Sequence, residues 1–469
     1  MTTSQRRKST NSIYYVALLL IFGLGIWLIL SAGARLNKPT DLSHSPTVTQ
    51  TTSIHSATPD NLRSPLSILL LQIIVIIIVA KIFGAVFRRI RQPPVMGEMV
   101  AGIVLGPSLL GWLSPQIASF LFPQASMTTL SVFSQVGVVL FMFIVGVELD
   151  LQHLKERASE AIMVSHASIV VPFLLGGTLA LSLYSTLASP TASFTPFALF
   201  LGIAMSITAF PVLARILQDR GLTKSPLGTT ALACASIDDV SAWCILAIVI
   251  AVVNSKGLGN VVLTIGLTFL FSVVMLVLVK PRIEGWIDSR VETQRNSRLL
   301  LAGIVAFALA CAWFTEVIGI HALFGGFLAG VVMPSSPGVQ SFLKERIEGF
   351  SSSALLPSFF VFTGLRTKIN LLNDWNSWYV CLVIIAVAVL GKLGGSMLMA
   401  RWTKMSWRDS YALGVLMNTR GLVELVVLNI GYDLGILSDR IFAMMVIMAL
   451  ATTFMTAPLL SVVKVGKAN

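Results

Sequence analysis

A chain of 469 residues that is 55% hydrophobic and only 12% charged, with a mean hydropathy of +0.85, cannot cover a water-facing surface, since soluble domains carry about twice that share of charge. This excludes a large soluble fold and makes lipid the solvent for most of the chain, with room for well over ten spans of roughly 20 residues. The formal charge of +12 does not mark a nucleic-acid binder, because the positive residues lie in short pieces between apolar runs, where topology explains them.

The first apolar run is Ile13 to Gly33, preceded by Arg6, Arg7 and Lys8 and followed by Ala32-Gly33-Ala34. The last tripeptide has the small-residue form of a signal-peptidase site, while the length of the run suits a span. Residues 1–34 are therefore a signal peptide or an extra transmembrane helix. Residues 35–64 are rich in Ser, Thr and Pro and read as an exposed linker. The first run lies outside the repeat described below, so it is expected to be separable from the function.

Thirteen apolar segments follow, at about 65–87, 94–112, 128–149, 159–185, 195–217, 226–252, 260–279, 297–317, 319–334, 350–369, 378–400, 407–430 and 438–463. Each can cross a bilayer as a helix that satisfies its own backbone groups. The fold expected is all-α and polytopic, with about 13 transmembrane helices. Lys and Arg crowd the loops on one side, from Arg88 and Arg89 to Arg401 and Lys404, and are sparse on the other. The positive-inside rule then puts the C-terminus in the cytoplasm.

No zinc-protease, P-loop, nucleophile-elbow or dinucleotide motif occurs, and the four cysteines and five histidines are scattered. An enzyme is not suggested, and no cofactor, nucleotide or nucleic acid is expected.

The two halves echo each other. Residues Met99 to Leu105 resemble Phe327 to Met333, Phe143 to Gly146 resemble Val361 to Gly364, and Ser206 to Ala209 resemble Met417 to Arg420. Partners lie seven spans apart and so cross in opposite senses, which is the inverted repeat of secondary transporters. Thr208-Ala209-Phe210-Pro211 interrupts the fifth span, because proline lacks an N–H. Asn418-Thr419-Arg420-Gly421 sits mid-way through the twelfth. Paired interruptions at matching positions point to a binding site at the membrane midplane.

Asp238 and Asp239 fall near the centre of the sixth span and Lys392 mid-way through the eleventh. Intramembrane charge is costly and marks function by default. Two adjacent carboxylates resist joint ionisation and are relieved by a cation, a proton or a basic partner. Lys392 is either a carrier of a transported proton or a permanent counter-charge to Asp238. Thr208 and Ser236 add hydroxyl oxygens, which suit a hard cation or bond their own helix backbone. Arg420 and Glu424, spaced i, i+4, neutralise each other in a supporting role. Glu148 and Asp150 end the third span, facing Arg215, lining an entrance or anchoring the helix at the interface. Glu98 and His321 are deep in their spans but read as lone helix contacts.

At these residues the sequence resembles the cation–proton antiporter-2 family, within the sodium–proton exchanger superfamily, over roughly residues 65–463. The resemblance is carried by Gly102-Ile103-Val104-Leu105-Gly106-Pro107, Gly146-Val147-Glu148-Leu149-Asp150, Thr208 to Arg215, Asp238-Asp239, Lys392 and Asn418 to Leu425. The twelfth-span motif looks closest to cyanobacterial and plant members. The resemblance implies a homodimer in a bacterial inner or cyanobacterial thylakoid membrane. Each protomer would have a mobile core (about 128–252 and 350–463), dimerisation helices (about 65–112 and 297–334) and a linker helix (about 260–279). It implies that the fifth and twelfth helices cross unwound. Asp239 matches the family's essential ion-binding carboxylate, and Asp238 the position that is acidic in electrogenic members. Lys392 matches their intramembrane lysine. The activity implied is sodium–proton antiport, with sodium held by Asp239, Asp238 and Thr208 and with Asn418 and Thr419 supporting. Potassium–proton exchange is the rival in the same class, and a cation channel the rival in another.

Overall fold

The computed structural model describes residues 3–36, 64–90, 92–148, 158–223, 225–254, 258–292 and 297–462. The expected linker, apart from its first two residues and its last, and the last seven residues lie outside these, as does Asp150. The described residues are almost wholly helical, with a single isolated bridge between Ala188 and Leu437.

In chain order the principal helices are α1 (Thr3–Gly33), α2 (Pro65–Arg89), α3 (Pro94–Leu105), α4 (Gln124–Glu148) and α5 (Ala158–Leu187). Next come α6 (Phe194–Ser206), α7 (Phe210–Asp219), α8 (Pro226–Asn254), α9 (Leu258–Val273), α10 (Lys280–Glu292) and α11 (Ser297–Val317). The last are α12 (Ala322–Val331), α13 (Leu356–Arg366), α14 (Trp375–Val389), α15 (Gly395–Trp402), α16 (Trp407–Met417), α17 (Leu422–Asp433) and α18 (Asp439–Val462). Among the described residues eleven helices are long and apolar enough to cross a membrane, or twelve if the bent pair α16–α17 is one span. The thirteen expected segments and the N-terminal run all fold as helix, but not all as full spans. The ninth is the ten-residue α12. The tenth is α13, entered through a π-helical turn at Ser351–Leu355.

The helices pack as two bundles. In one, α2, α3, α4, α11, α12 and α13 lie together; in the other, α5 to α8 and α14 to α18 do. The family resemblance implied that α4 and α13 belong with the second group, yet their tightest partners are α12 and α3. Glycine sets these contacts. A Cβ on Gly102 would lie 2.9 Å from the Cα of Gly364, and one on Gly330 would lie 2.9 Å from the Cα of Gly146. Only the absence of side chains lets these backbones meet, the close approach that small residues permit in membranes. Under the sequence repeat Gly102 corresponds to Gly330 and Gly364 to Gly146. The two crossings are therefore one contact made twice.

The N-terminal run is not detached. Helix α1 packs on α5 and α6, with Tyr15 3.3 Å from His166, Phe22 edge-on to Phe173, and the small face of Gly25 and Gly33 against Leu174 and Phe194. The run expected to be separable from the function is thus docked on the helices that follow, its glycine face matching the surface of α5 and α6.

Paired polar groups gather at the two ends of the bundles. Lys344 meets Glu148 at 2.7 Å and Arg220 meets Ser461 at 3.0 Å. At the other end Arg366 pairs with Asp433, and Lys368 with Asp439, both at 2.7 Å.

Candidate ion-translocation site

The site forms where two interrupted helices cross inside the second bundle. After Ser206 the backbone turns extended through Ile207 and Ala209, and α7 restarts with Pro211 in its first turn, where a missing N–H costs nothing. The chain opens again between α16 and α17, whose axes bend by 43°. The two gaps bond to each other: the Ala209 N–H donates to the Thr419 carbonyl at 3.0 Å, and the Thr208 hydroxyl to the Met417 carbonyl at 2.9 Å.

An interrupted helix leaves carbonyls at one end and N–H groups at the other, with partial charges to match. Cations cap the carbonyl end here. Arg420, 1% exposed, donates to the carbonyls of Ala204 and Met205, both at 2.7 Å. Lys392 donates to the Ser206 carbonyl. An anion takes the other end, where the Thr208 N–H donates to Asp238 at 3.0 Å.

Asp238 and Asp239 are both buried but differ in their partners. Asp238 accepts from Lys392 at 2.8 Å, from the Ser168 hydroxyl at 2.9 Å and from Ser165 at 3.5 Å, besides Thr208. Neither oxygen of Asp239 accepts a hydrogen bond of normal geometry from any described residue, and the Phe210 backbone N–H is its polar neighbour. Consecutive residues of a helix point about 100° apart, so the pair divides between two environments. Asn418, buried at the second gap, likewise has its amide oxygen and nitrogen unpartnered among the described residues.

The other expected residues are placed as follows. Ser236 is half-buried on α8 and donates to its own helix at Leu232, 2.8 Å away. The Thr419 hydroxyl also turns back, to Leu416 at 2.6 Å, and it is the carbonyl of Thr419 that joins the crossing. Arg420 and Glu424 lie 3.4 Å apart, both fully buried, but the shorter bonds of the guanidinium go to α6. Glu148 pairs with Lys344, not with Arg215, and this bond holds the Lys344 ammonium above its usual lysine range. His321 caps α12, with Leu323 N–H donating to its ring at 3.5 Å, and Glu98 is buried on α3.

Sequence reasoning missed Ser165 and Ser168 on α5, and Thr453, which bonds both the N–H and the carbonyl of Arg420. Hydroxyls in membrane helices usually bond their own backbone, so residue type alone distinguished none of these three. The spacing Ser165-Ser168, one face of a helix, was the only available signal.

The sequence profile described as "Sodium/hydrogen exchanger, transmembrane" matches residues 74–462, which hold the whole crossing. The chain belongs to the sodium/hydrogen exchanger family. Among relatives, the Na(+)/H(+) antiporter NhaS4 of Synechocystis is 44% identical over 395 residues, covering 84% of this chain and 96% of the relative. The cation/H(+) antiporter 17 of Arabidopsis thaliana is 40% identical over 87% of this chain and 50% of its own length. The K(+)/H(+) antiporter 1 of Saccharomyces cerevisiae is 34% identical over 86% of this chain and 47% of its own. This exchanger thus spans about half the length of those plant and yeast relatives. The sodium proton antiporter MjNhaP1 from Methanocaldococcus jannaschii shares the fold, with a TM-score of 0.62 at 14% identity over 84% of this chain and 96% of that one. The antiporter reading of the sequence, and its likeness to cyanobacterial and plant members, are borne out. The protein is an integral membrane transporter.

Proposed function

We propose that this chain exchanges sodium for protons electrogenically, by alternating access, with Asp239 as the carboxylate that binds either ion. The observation that carries the reading is the unequal pair: Asp238 is committed to Lys392, two serines and a backbone N–H, while neither oxygen of the buried Asp239 accepts a hydrogen bond of normal geometry from any described residue. Leaving a buried polar group unpaired is costly, and a bound proton or cation relieves it. Sodium is a hard ion and takes oxygen ligands; Asp239, Asp238 and Thr208 hydroxyl oxygens, with the unpartnered Asn418, are the donors for it. Ser236 contributes through its remaining lone pairs. An amide at position 239 can neither titrate nor supply full charge. Asp239→Asn is expected to reduce sodium-driven proton movement in proteoliposomes to the vesicle background. Near-normal turnover in the folded variant removes Asp239 from the mechanism.

The mobile body consists of α5 to α8 and α14 to α18, the bundle that contains the crossing. The scaffold takes α2 to α4 and α11 to α13, with α9 as the link, and pairs with a second copy as a homodimer. Support for this division is the packing of α4 and α13 on α3 and α12. Support for the scaffold's outward role is the stripe of Leu66, Leu70, Ile74, Ile78, Ile82 and Val86 exposed along α2. The membrane is a bacterial inner or a thylakoid membrane, with the C-terminus on its cytoplasmic side. No cofactor takes part. Potassium is the second reading for the cation, favoured by the name of the yeast relative.

A further inference from the structure

Helix α5 carries Pro172 in its interior, four residues after Ser168. In an unbroken helix the N–H of residue 172 would donate to the Ser168 carbonyl. Proline has no N–H and its ring crowds that same carbonyl. The Ser168 carbonyl is thereby left without its helical donor, at a buried position. The ammonium of Lys392 takes it, at 3.0 Å, and also reaches the Ser168 hydroxyl at 3.2 Å.

The lysine's own helix is shaped to the same spot. Residues Leu390–Gly394 form a π-helical turn around Lys392, a local widening that recurs at functional sites. Gly391 lies against the proline: a Cβ there would sit 2.9 Å from the Pro172 Cα. The second carbonyl that Lys392 holds, at Ser206, is free for a similar reason, since α6 ends there. Both backbone acceptors of the ammonium are carbonyls that lack their helical donor. One missing bond inside the continuous α5 therefore joins the two interruptions at the crossing.

We propose that Pro172 is a positioning residue for Lys392: by withholding its N–H it keeps the Ser168 carbonyl open to the ammonium and so fixes Lys392 beside Asp238. This rests on the assignment of Lys392 to the transport site. The two carbonyls give the lysine nitrogen fixed acceptors that do not depend on Asp238, so the side chain keeps its place whether or not the ion pair is closed.

The test is a double-mutant cycle of Pro172 against Lys392 in proteoliposomes. Pro172→Ala restores the N–H and is a better helix former, so the variant folds. Pro172→Val restores the N–H while keeping bulk against Gly391. Both are expected to slow sodium–proton exchange about tenfold, the loss of one hydrogen bond to a charged group, with an undiminished unfolding temperature. In a Lys392→Gln background, neither should slow the remaining exchange further. If Lys392→Gln leaves no exchange, the comparison moves to the sodium-induced rise in unfolding temperature. There too Pro172→Ala should act only when Lys392 is present, because a released ammonium competes with sodium at Asp239. Wild-type exchange by Pro172→Val, or an equal loss with and without Lys392, overturns the proposal. Full electrogenic exchange by Lys392→Gln alone instead makes Lys392 a counter-charge only, a failure of the prior assignment and a distinct result.

Discussion

Two carboxylates on consecutive helical residues point in directions about 100° apart, and here that angle separates their chemistry. Asp238 faces α5 and Lys392, where four donors meet it. Asp239 faces the start of α7, where the Phe210 N–H is its polar neighbour and no described residue gives its oxygens a hydrogen bond of normal geometry. The sequence left Lys392 open between proton carrier and permanent counter-charge. Its 2.8 Å bond to Asp238 is compatible with both, because a carrier must also be paired in one state of the cycle. The two roles differ in what a neutral side chain does. Lys392→Gln is expected to keep sodium binding at Asp239 and to exchange ions without moving net charge. Breaking a buried pair costs about 3–5 kcal/mol, so the unfolding temperature should fall as well. Currents on a solid-supported membrane, measured beside thermal unfolding, check this. Full currents in a destabilised variant would make Lys392 a counter-charge only.

At the scale of elements, the interruptions and the glycine crossings do different work. The interruptions in α6–α7 and α16–α17 create backbone groups that need partners, and each gap supplies partners to the other. The glycine crossings hold α3 on α13 and α12 on α4 at backbone contact. A methyl group there meets main chain on the facing helix, which cannot rotate away. Overpacking of this kind costs about 1–3 kcal/mol. Gly102→Ala and Gly330→Ala are therefore expected to destabilise the detergent-solubilised protein by similar amounts in that range. Gly23, where a Cβ meets nothing within 4 Å, is the control, and Gly23→Ala should not lower stability. Unequal effects of the first two substitutions would count against the equivalence of the two crossings.

At the scale of the whole molecule, two protons for one sodium would move one net charge each cycle. A charge crossing the membrane is worth about 2.3 kcal/mol per 100 mV, which sets a change of roughly fifty-fold in the sodium gradient held at equilibrium. Exchange by the reconstituted protein is accordingly expected to respond to an imposed potassium diffusion potential when sodium is the substrate. Exchange indifferent to potential, with counter-ions clamped, would favour one-for-one exchange and a structural Asp238. Repeating the assay with lithium and with potassium, the potential then set by another ion, ranks the cations. A channel would pass cations with no pH gradient at all.

Much of this was legible in the sequence because the bilayer makes the code severe. An intramembrane charge cannot be incidental, so Asp238, Asp239 and Lys392 stood out without a structure. An apolar segment of about 20 residues crosses lipid as a helix that bonds its own backbone, so Pro211 and the Asn418–Gly421 word marked their own interruptions. The repeated glycine words disclosed the inverted halves. Other features were decided only by tertiary structure. That Asp238 is the carboxylate held by the lysine depends on four donors that converge from α5, the gap between α6 and α7, and the π-helical turn. Which bundle α4 and α13 join depends on which glycine faces meet, and every membrane helix offers small residues. The docking of α1 on α5 depends on two matching surfaces, 151 residues apart in the chain at Tyr15 and His166. In each case the deciding quantity is a contact between residues distant in sequence. Composition and periodicity report each helix separately and carry no record of such contacts.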